Sequence, residues 1–491
     1  MELTELTAQL ESLLAELGSH RTGHLAGRLE SLDTAHIYGH SASLMLPDVV
    51  RDLRSRVQAD PDVTPLLNAV VRAQIDAGCA PVTDRLTDEM DHKVLKGLEE
   101  KWFYHDSNVR IAAECNRKQR KVLDQARRRV LANKEAVLED VLHRTHTLMI
   151  DRGFSNYAAM CEEISGTDIP GLLDEADGFL EDSHNRYLAV LAEALREAGI
   201  HPDDARYHDL VYLFAGRYGP AAGFGDPETV IADTLAGMGM PWDTLTGVMP
   251  DLAGREEKRP GIHVVAVRIP GEIHLVAGLS GGWDEWPRLL GAAGLAAAMT
   301  STPENLPLAR RWPGDIALAD AYTCVFASLA GNPAWLERHA PAVKEKEQVR
   351  RYHLWWLYRV RYLAGTARYA QLLHGPGEPA DKADMFEHAT HRATGARIER
   401  DYFLTLTEPY MAQAQRFKGQ FFGAQLLAGI EERFGPEWFA EPGAGAYLGR
   451  LWEQGWSLSA VAEAAGIDDP GDVWPLTERL EDVLGTFEDD D

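Results

Sequence analysis

The chain has 491 residues, 45% of them hydrophobic and 25% charged, the proportions of an ordinary globular protein with room for two to four domains. Asp and Glu outnumber Lys and Arg by 76 to 49, a formal charge of −27, and so acidic a surface repels phosphate backbones and excludes nucleic acid as an expected partner. No apolar run reaches the roughly 18 residues of a bilayer span, and the N-terminus lacks a signal-peptide pattern, so the expected location is the cytoplasm with no membrane partner.

The first element is an amphipathic helix, because Leu3, Leu6, Leu10, Leu13, Leu14 and Leu17 recur at three- and four-residue intervals. Helical segments continue to about residue 90, with breaks expected at Pro47, Pro61, Pro65 and Pro81. Between 98 and 112 the alternation reads as strand, turning near Asp106, Ser107 and Asn108. A basic helix follows over 116–130. It keeps Val122, Leu123, Ala126 and Val130 for the core and carries Arg117, Lys118, Arg120, Lys121, Arg127, Arg128 and Arg129. A solvated charged face is its ordinary reading and a phosphate site the alternative.

From Gly261 to Gly278 the composition turns β-rich. Val264, Val265, Val267 and Ile269 precede Pro270-Gly271, and Ile273, Leu275 and Val276 follow, which reads as a hairpin. A glycine-rich loop, Gly278 to Gly282, leads into the small-residue stretch from Leu289 to Met299, expected to be a tightly packed buried helix. Helices then continue to Leu480, apart from a loop over 375–379, and the acidic end Glu488 to Asp491 is expected to fray. The expected division is an N-terminal helical region (1–97), a body over 98–480 split into lobes 98–260 and 261–480, and an acidic tail (481–491).

Several candidate sites have ordinary explanations. The pairs His20/His24, His36/His40 and His388/His391 lack a third ligand nearby and read as surface or capping residues. Cys79, Cys115, Cys161 and Cys324 are too scattered for a zinc ribbon or a disulfide framework. Leu458 to Ile467 has the outline of a DNA-reading helix pair but lies in acidic surroundings without basic residues. The aromatic run from Tyr352 to Tyr358, with Tyr362 and Tyr369, reads as core. Arg350, Arg351, Arg359, Arg361 and Arg368 interleave with it, so one face is available to line a cleft.

The stretch that carries function runs from Gly282-Trp-Asp-Glu-Trp286 through Gly291-Ala-Ala-Gly-Leu295. It continues through Gly314-Asp-Ile-Ala-Leu-Ala-Asp320 to Asn332-Pro-Ala-Trp-Leu336. With the Gly153-Phe-Ser-Asn-Tyr157 helix start and Gly423-Ala-Gln-Leu426, it resembles the thimet-oligopeptidase and oligoendopeptidase F superfamily of gluzincin zinc peptidases over about residues 98–470. The resemblance implies a mostly α, two-lobed body with a deep groove and a small sheet. In active relatives a Gly-Gly loop leads into a helix bearing H-E-x-G-H, and a glutamate about 25 residues later completes the zinc site. There the metal activates a water whose proton the motif glutamate takes. Carried over by position, the first histidine is Gly291, the general base Ala292, the second histidine Leu295 and the third ligand Asp320.

The resemblance therefore implies a degenerate member with no metal, no cofactor and no catalytic residue of the zinc mechanism. A side chain at Gly291 is expected to be tolerated, since Gly costs about 1 kcal/mol relative to Ala inside a helix. The first functional expectation is binding of a peptide or peptide-like small molecule, or service as partner subunit of an active paralogue in a homo- or hetero-oligomer. Ligand residues expected from the resemblance are Gly278, Gly281, Gly282, His274, Asp284, His353 and Tyr410, with the strand from His274 to Ala277 offering its edge to an extended ligand. Gly282 is expected to lie against the ligand backbone. Tyr402 and Tyr410 are the nearest counterparts of oxyanion-stabilising tyrosines, and Arg416 stands where relatives often carry another. The alternative is metal-free chemistry in the same groove by His263, His274, Asp284, Glu285, His353 and Tyr410, for example in a biosynthetic pathway; a zinc peptidase with a relocated site was the least favoured reading.

Overall fold

A computed structural model describes residues 2–98, 100–216, 224–255 and 257–487, so the acidic end from Glu488 to Asp491 lies outside the described residues. Seven helices frame the argument: α1 (Leu3–Leu25), α2 (Thr64–Asp91), α3 (Arg117–Ala132), α4 (Glu285–Ser301), α5 (Ile316–Ala327), α6 (Glu345–His374) and α7 (Ala412–Phe434). Helix α1 forms where the leucine spacing places it and buries Leu6, Leu10 and Leu13. Its neighbours belong to one continuous apolar core that runs from Leu6 to Phe487 and joins both ends of the chain. Among the described residues no helix is long and apolar enough to cross a membrane, and all four cysteines are free thiols.

Two readings of the N-terminal third differ from what forms. Pro47 and Pro65 sit in the first turns of their helices, but Pro81 lies inside the 28-residue α2, which continues through it. Cys79, Ala80 and Val82 are buried on both sides of that proline, so tertiary packing holds the segment that a proline alone would break. The strand character near residue 98 is real but brief: β1 (Val94–Gly97) pairs antiparallel with β2 (Glu100–Phe103). The chain is helical from Ser107 to Ala113, where a turn and a second strand were expected.

The central sheet contains the expected hairpin, β4 (Gly261–Arg268) antiparallel to β5 (Glu272–Gly278), with a bulge between Ala266 and Arg268. A third strand, β3 (Val248–Asp251), joins parallel to β5, giving the order β3-β5-β4. Ile273, Leu275 and Ala277 of β5 point to one face and are fully buried in the main core beside α4. On the other face Val265 and Val276 close over Leu25 and Ala26 at the end of α1. Gly18 of α1 lies against the Ala266 carbonyl of β4, an approach that leaves no room for a Cβ.

Behind the sheet, α4, α5 and α7 stack through small residues. A Cβ on Gly423 would stand 2.6 Å from Cys324 Cβ, and one on Gly419 would stand 2.5 Å from the Ala317 carbonyl oxygen. Helix α5 is therefore clamped between two neighbours at near-backbone distance. That clamp fixes Asp320, which α5 carries.

Candidate functional site

The four positions lie on two helices that pack together, Gly291, Ala292 and Leu295 on α4 and Asp320 on α5. Gly291 is buried with its Cα turned to α5, and a Cβ there would stand 2.6 Å from Thr323 Cγ2 and 2.7 Å from the Thr323 carbonyl oxygen. Ala292 is buried and Leu295 half-buried in the apolar core. None of these three side chains has a lone pair to offer a metal ion. Among the described residues, no group of three or more His, Cys, Asp or Glu side chains is arranged to hold one. The residues present do not fit a zinc ion.

Asp320 is the one polar member of the set, and its carboxylate, 1% exposed, is fully engaged. Arg359 of α6 donates to Oδ1 at 3.0 Å and Arg416 of α7 to the same oxygen at 3.1 Å, while Gln420 Nε2 donates to Oδ2. Gln420 also accepts from the buried Trp356 indole at 2.7 Å, and Arg416 reaches Glu408 at 2.9 Å. Burial works against the Arg416 charge, but the Asp320 and Glu408 carboxylates prevail and raise its guanidinium above its ordinary value. Both arginines keep about a third of their side-chain surface, 32% and 36%, so the cluster has a buried acid and two half-exposed bases.

The cluster adjoins a cavity of about 420 Å³. The Arg359 guanidinium lies 6.0 Å from the Trp355 ring, and Trp355 and Tyr358 form one wall together with Tyr207 and Phe214. Ile262, Gly278, Ser280, Asp284 and Arg288 form the other. Glu285 organises the glycine loop by accepting from Ser280 N and Oγ at 2.7 Å and from Gly281 N at 2.8 Å. Gly281 has φ +87°, a conformation that suits glycine. Burial raises the Asp284 carboxyl, a shift that Arg288 opposes from 3.2 Å.

A second polar cluster stands on α2. Tyr410 donates to Asp76 Oδ1 at 2.6 Å, and the Arg72 guanidinium lies over the Tyr410 ring at 4.6 Å. The Tyr410 amide donates in turn to the buried Tyr157 hydroxyl. Asp76 and Arg21 are both exposed, yet burial raises the Asp76 carboxyl and lowers the Arg21 guanidinium. Burial lowers the His263 imidazole, and the charges of Arg21 and Arg288 act in the same direction.

The structure brings together only part of the sequence-derived set. Gly278 and Asp284 line the cavity and Gly281 belongs to its loop, whereas Gly282 packs against the protein itself: a Cβ there would stand 2.6 Å from the Ala215 carbonyl oxygen. His274 sits on the central strand, on the face turned to α1, and pairs with Glu272 at 3.0 Å. Because β5 has β3 on one side and β4 on the other, it has no free edge for a ligand strand. His353 lies on the opposite side of α6 from Trp355, in a separate cavity with Tyr352, Trp356 and Arg479. Tyr402 donates to Asp124 of α3 at 2.6 Å and belongs to another apolar cluster. The six groups considered for metal-free chemistry therefore form no single constellation. Gln420, Asp76, Arg72, Arg21 and Glu408 were missed. The one local signal was the helical spacing that pairs Arg72 with Asp76 and Arg416 with Gln420 on common faces.

His353 carries a measurable consequence of its burial. Its Nδ1 donates to the Val349 carbonyl at 2.8 Å, and desolvation lowers its pKa from 6.5 to about 4. A depressed folded value means that the unfolded chain binds the proton first. The stability from neutral His353 is thus complete above about pH 6.5 and lost as the pH falls toward 4, up to about 3 kcal/mol. Urea unfolding of His353→Gln should show a flatter decline over that window than the wild type; parallel curves would contradict a neutral, buried imidazole.

At the level of sequence, no protein-family model and no curated protein matches the chain. Solved structures do share its fold. A protein assigned as oligoendopeptidase F superposes with a TM-score of 0.70 at 11% identity, covering 98% of this chain and 96% of that one. Pz peptidase A with an inhibitor gives 0.64 at 15% identity over 89% and 83%. An oligoendopeptidase F assignment from Bacillus anthracis str. Ames gives 0.65 at 11% identity over 93% and 84%. The chain thus has the mostly α fold of the oligoendopeptidase F and Pz peptidase structures, nearly end to end.

Proposed function

We propose that this chain is a zinc-less member of the oligopeptidase fold that binds a peptide or peptide-like ligand in its cleft without hydrolysing it. The observation that carries the reading is the state of Asp320. At the position of the third zinc ligand the carboxylate is met by two guanidinium groups and an amide, which supply two positive charges where the metal would supply two. With Gly291, Ala292 and Leu295 at the other three positions, on the neighbouring helix α4, no side chain there can hold a metal-bound water or deprotonate it.

Ligand recognition on this reading falls to the surfaces the cavity exposes. The end of β4 from Pro260 to Ile262 and the loop from Gly278 to Ser280 offer main chain, while Tyr358, Trp355 and Phe214 offer apolar area. Asp284 and Arg288 offer one charge of each sign, suited to a ligand with both an amine and a carboxylate.

Three measurements on the dialysed protein test this: metal analysis, an assay with bradykinin-like peptides, and calorimetry of peptide binding. The expected result is far less than one zinc per chain and no turnover, with saturable peptide binding by calorimetry. One retained zinc per chain, with cleavage abolished by a chelator, would overturn it.

A further inference from the structure

A second cavity, of about 650 Å³, shares no lining residue with the cleft, although Arg206 and His208 line it and Tyr207 between them lines the cleft. Its walls are the first turns of α3, the segment from Asp204 to His208, and Arg397 with Glu399. Six Lys and Arg residues line it against three carboxylates, a reversal of sign in a chain whose net charge is −27.

The start of α3 has an unusual charge arrangement. The helix opens Arg117-Lys118-Gln119-Arg120-Lys121 and has no acidic residue in its first turn, so cations crowd the positive end of its dipole. Asp209 compensates two of them, accepting from Arg117 at 2.9 Å and from Arg120 at 3.1 Å. Arg128 is tied to Asp124 and Asp401, and Arg397 to Glu387. Lys118 and Lys121 are exposed, face this cavity, and have no carboxylate partner among the described residues. His208, 3% exposed, lines the same space. Its Nδ1 finds no hydrogen bond of ordinary geometry, although Asp209 Oδ1 is 3.2 Å away.

We propose that this cavity binds a small molecule carrying a diphosphate group, held chiefly by Lys118 and Lys121. Of the lining arginines, Arg117, Arg128 and Arg397 already have their planar forks engaged by the protein's own acids, and Arg206 is the exception. What is left is a pair of mobile ammonium charges at a helix N-terminus, which suits the tetrahedral, multiply charged oxygens of linked phosphates. Among the described residues no Phe, Tyr or Trp lines the cavity, so the site is built to read the phosphates.

The test uses the full chain and inorganic pyrophosphate, with orthophosphate, citrate and chloride compared at matched ionic strength. Pyrophosphate is expected to bind saturably and raise the melting temperature more than the other three. Lys118→Glu/Lys121→Glu should weaken it about tenfold or more, while the ligand-free variant melts no lower than the wild type, because both side chains are exposed and acids suit a helix N-terminus. Absence of saturable binding overturns the proposal. So does binding that citrate or orthophosphate matches, or that survives the double substitution. Because the cleft contributes nothing to this site, peptide binding there should be unchanged in the variant.

Discussion

Gly291→His is expected to destabilise the fold by about 3 kcal/mol, with no gain of metal affinity in exchange. The ideal Cβ already stands 2.6 and 2.7 Å from Thr323, and one of those two contacts is a backbone oxygen that cannot rotate away. An imidazole would have to force α4 off α5, and α5 cannot retreat because Gly419 and Gly423 hold α7 close on its far side. Gly178 provides the contrast. It lies in the helix Ile169–Asp182 with nothing within 4 Å of its ideal Cβ, so Gly178→Ala should stabilise by up to about 1 kcal/mol. Urea denaturation of both variants beside the wild type decides the matter. A Gly291→His protein as stable as its parent would mean that the α4–α5 approach described above is wrong.

The same residue shows where reading the sequence stops being sufficient. Helix propensity alone favours a side chain at Gly291, and that expectation fails because the constraint comes from a residue in another helix. Features set by local chemistry were legible. The leucine spacing placed α1, and Pro270-Gly271 between two β-rich runs placed the β4–β5 hairpin. The small residues of 289–299 announced a close-packed helix. The third strand was not legible, because β3 is four residues long, contains Pro250, and pairs with β5 from more than 20 residues away. Pro81 misled in the opposite sense: its local rule is real, but packing on both sides of α2 outweighs it.

The site divides along the same line. Gly291, Ala292, Leu295 and Asp320 were assigned from the order and spacing of the surrounding residues, and the structure puts them on two helices that pack together. The partners of Asp320 could not, because Arg359, Arg416 and Gln420 are 39, 96 and 100 residues away in sequence. Arg416 was noticed only as a residue standing in place of a tyrosine, and Arg359 only as one of five arginines in an aromatic run. Their shared carboxylate turns two isolated oddities into one cluster.

Asp320→Ala should cost about 2–3 kcal/mol, less than the cost of breaking a wholly buried ion pair. The carboxylate is 1% exposed, but Arg359 and Arg416 are 32% and 36% exposed and can turn partly to water, and Arg416 retains Glu408 at 2.9 Å. Gln420 fares worse, since its amide loses its acceptor inside the core. If the cluster is a structural replacement for a metal site, the loss must be independent of metal, so added zinc or chelator should leave both unfolding curves unmoved. The triple variant Asp320→Leu, Arg359→Met, Arg416→Met should recover much of the stability, because it removes the charges together and leaves no guanidinium without its acid. Measured by urea denaturation, the order of stability should be wild type, then triple variant, then Asp320→Ala. A triple variant less stable than Asp320→Ala would show that the arginines hold the cleft open through contacts other than Asp320. An Asp320→Ala protein stabilised by zinc would show that the cleft still selects a metal.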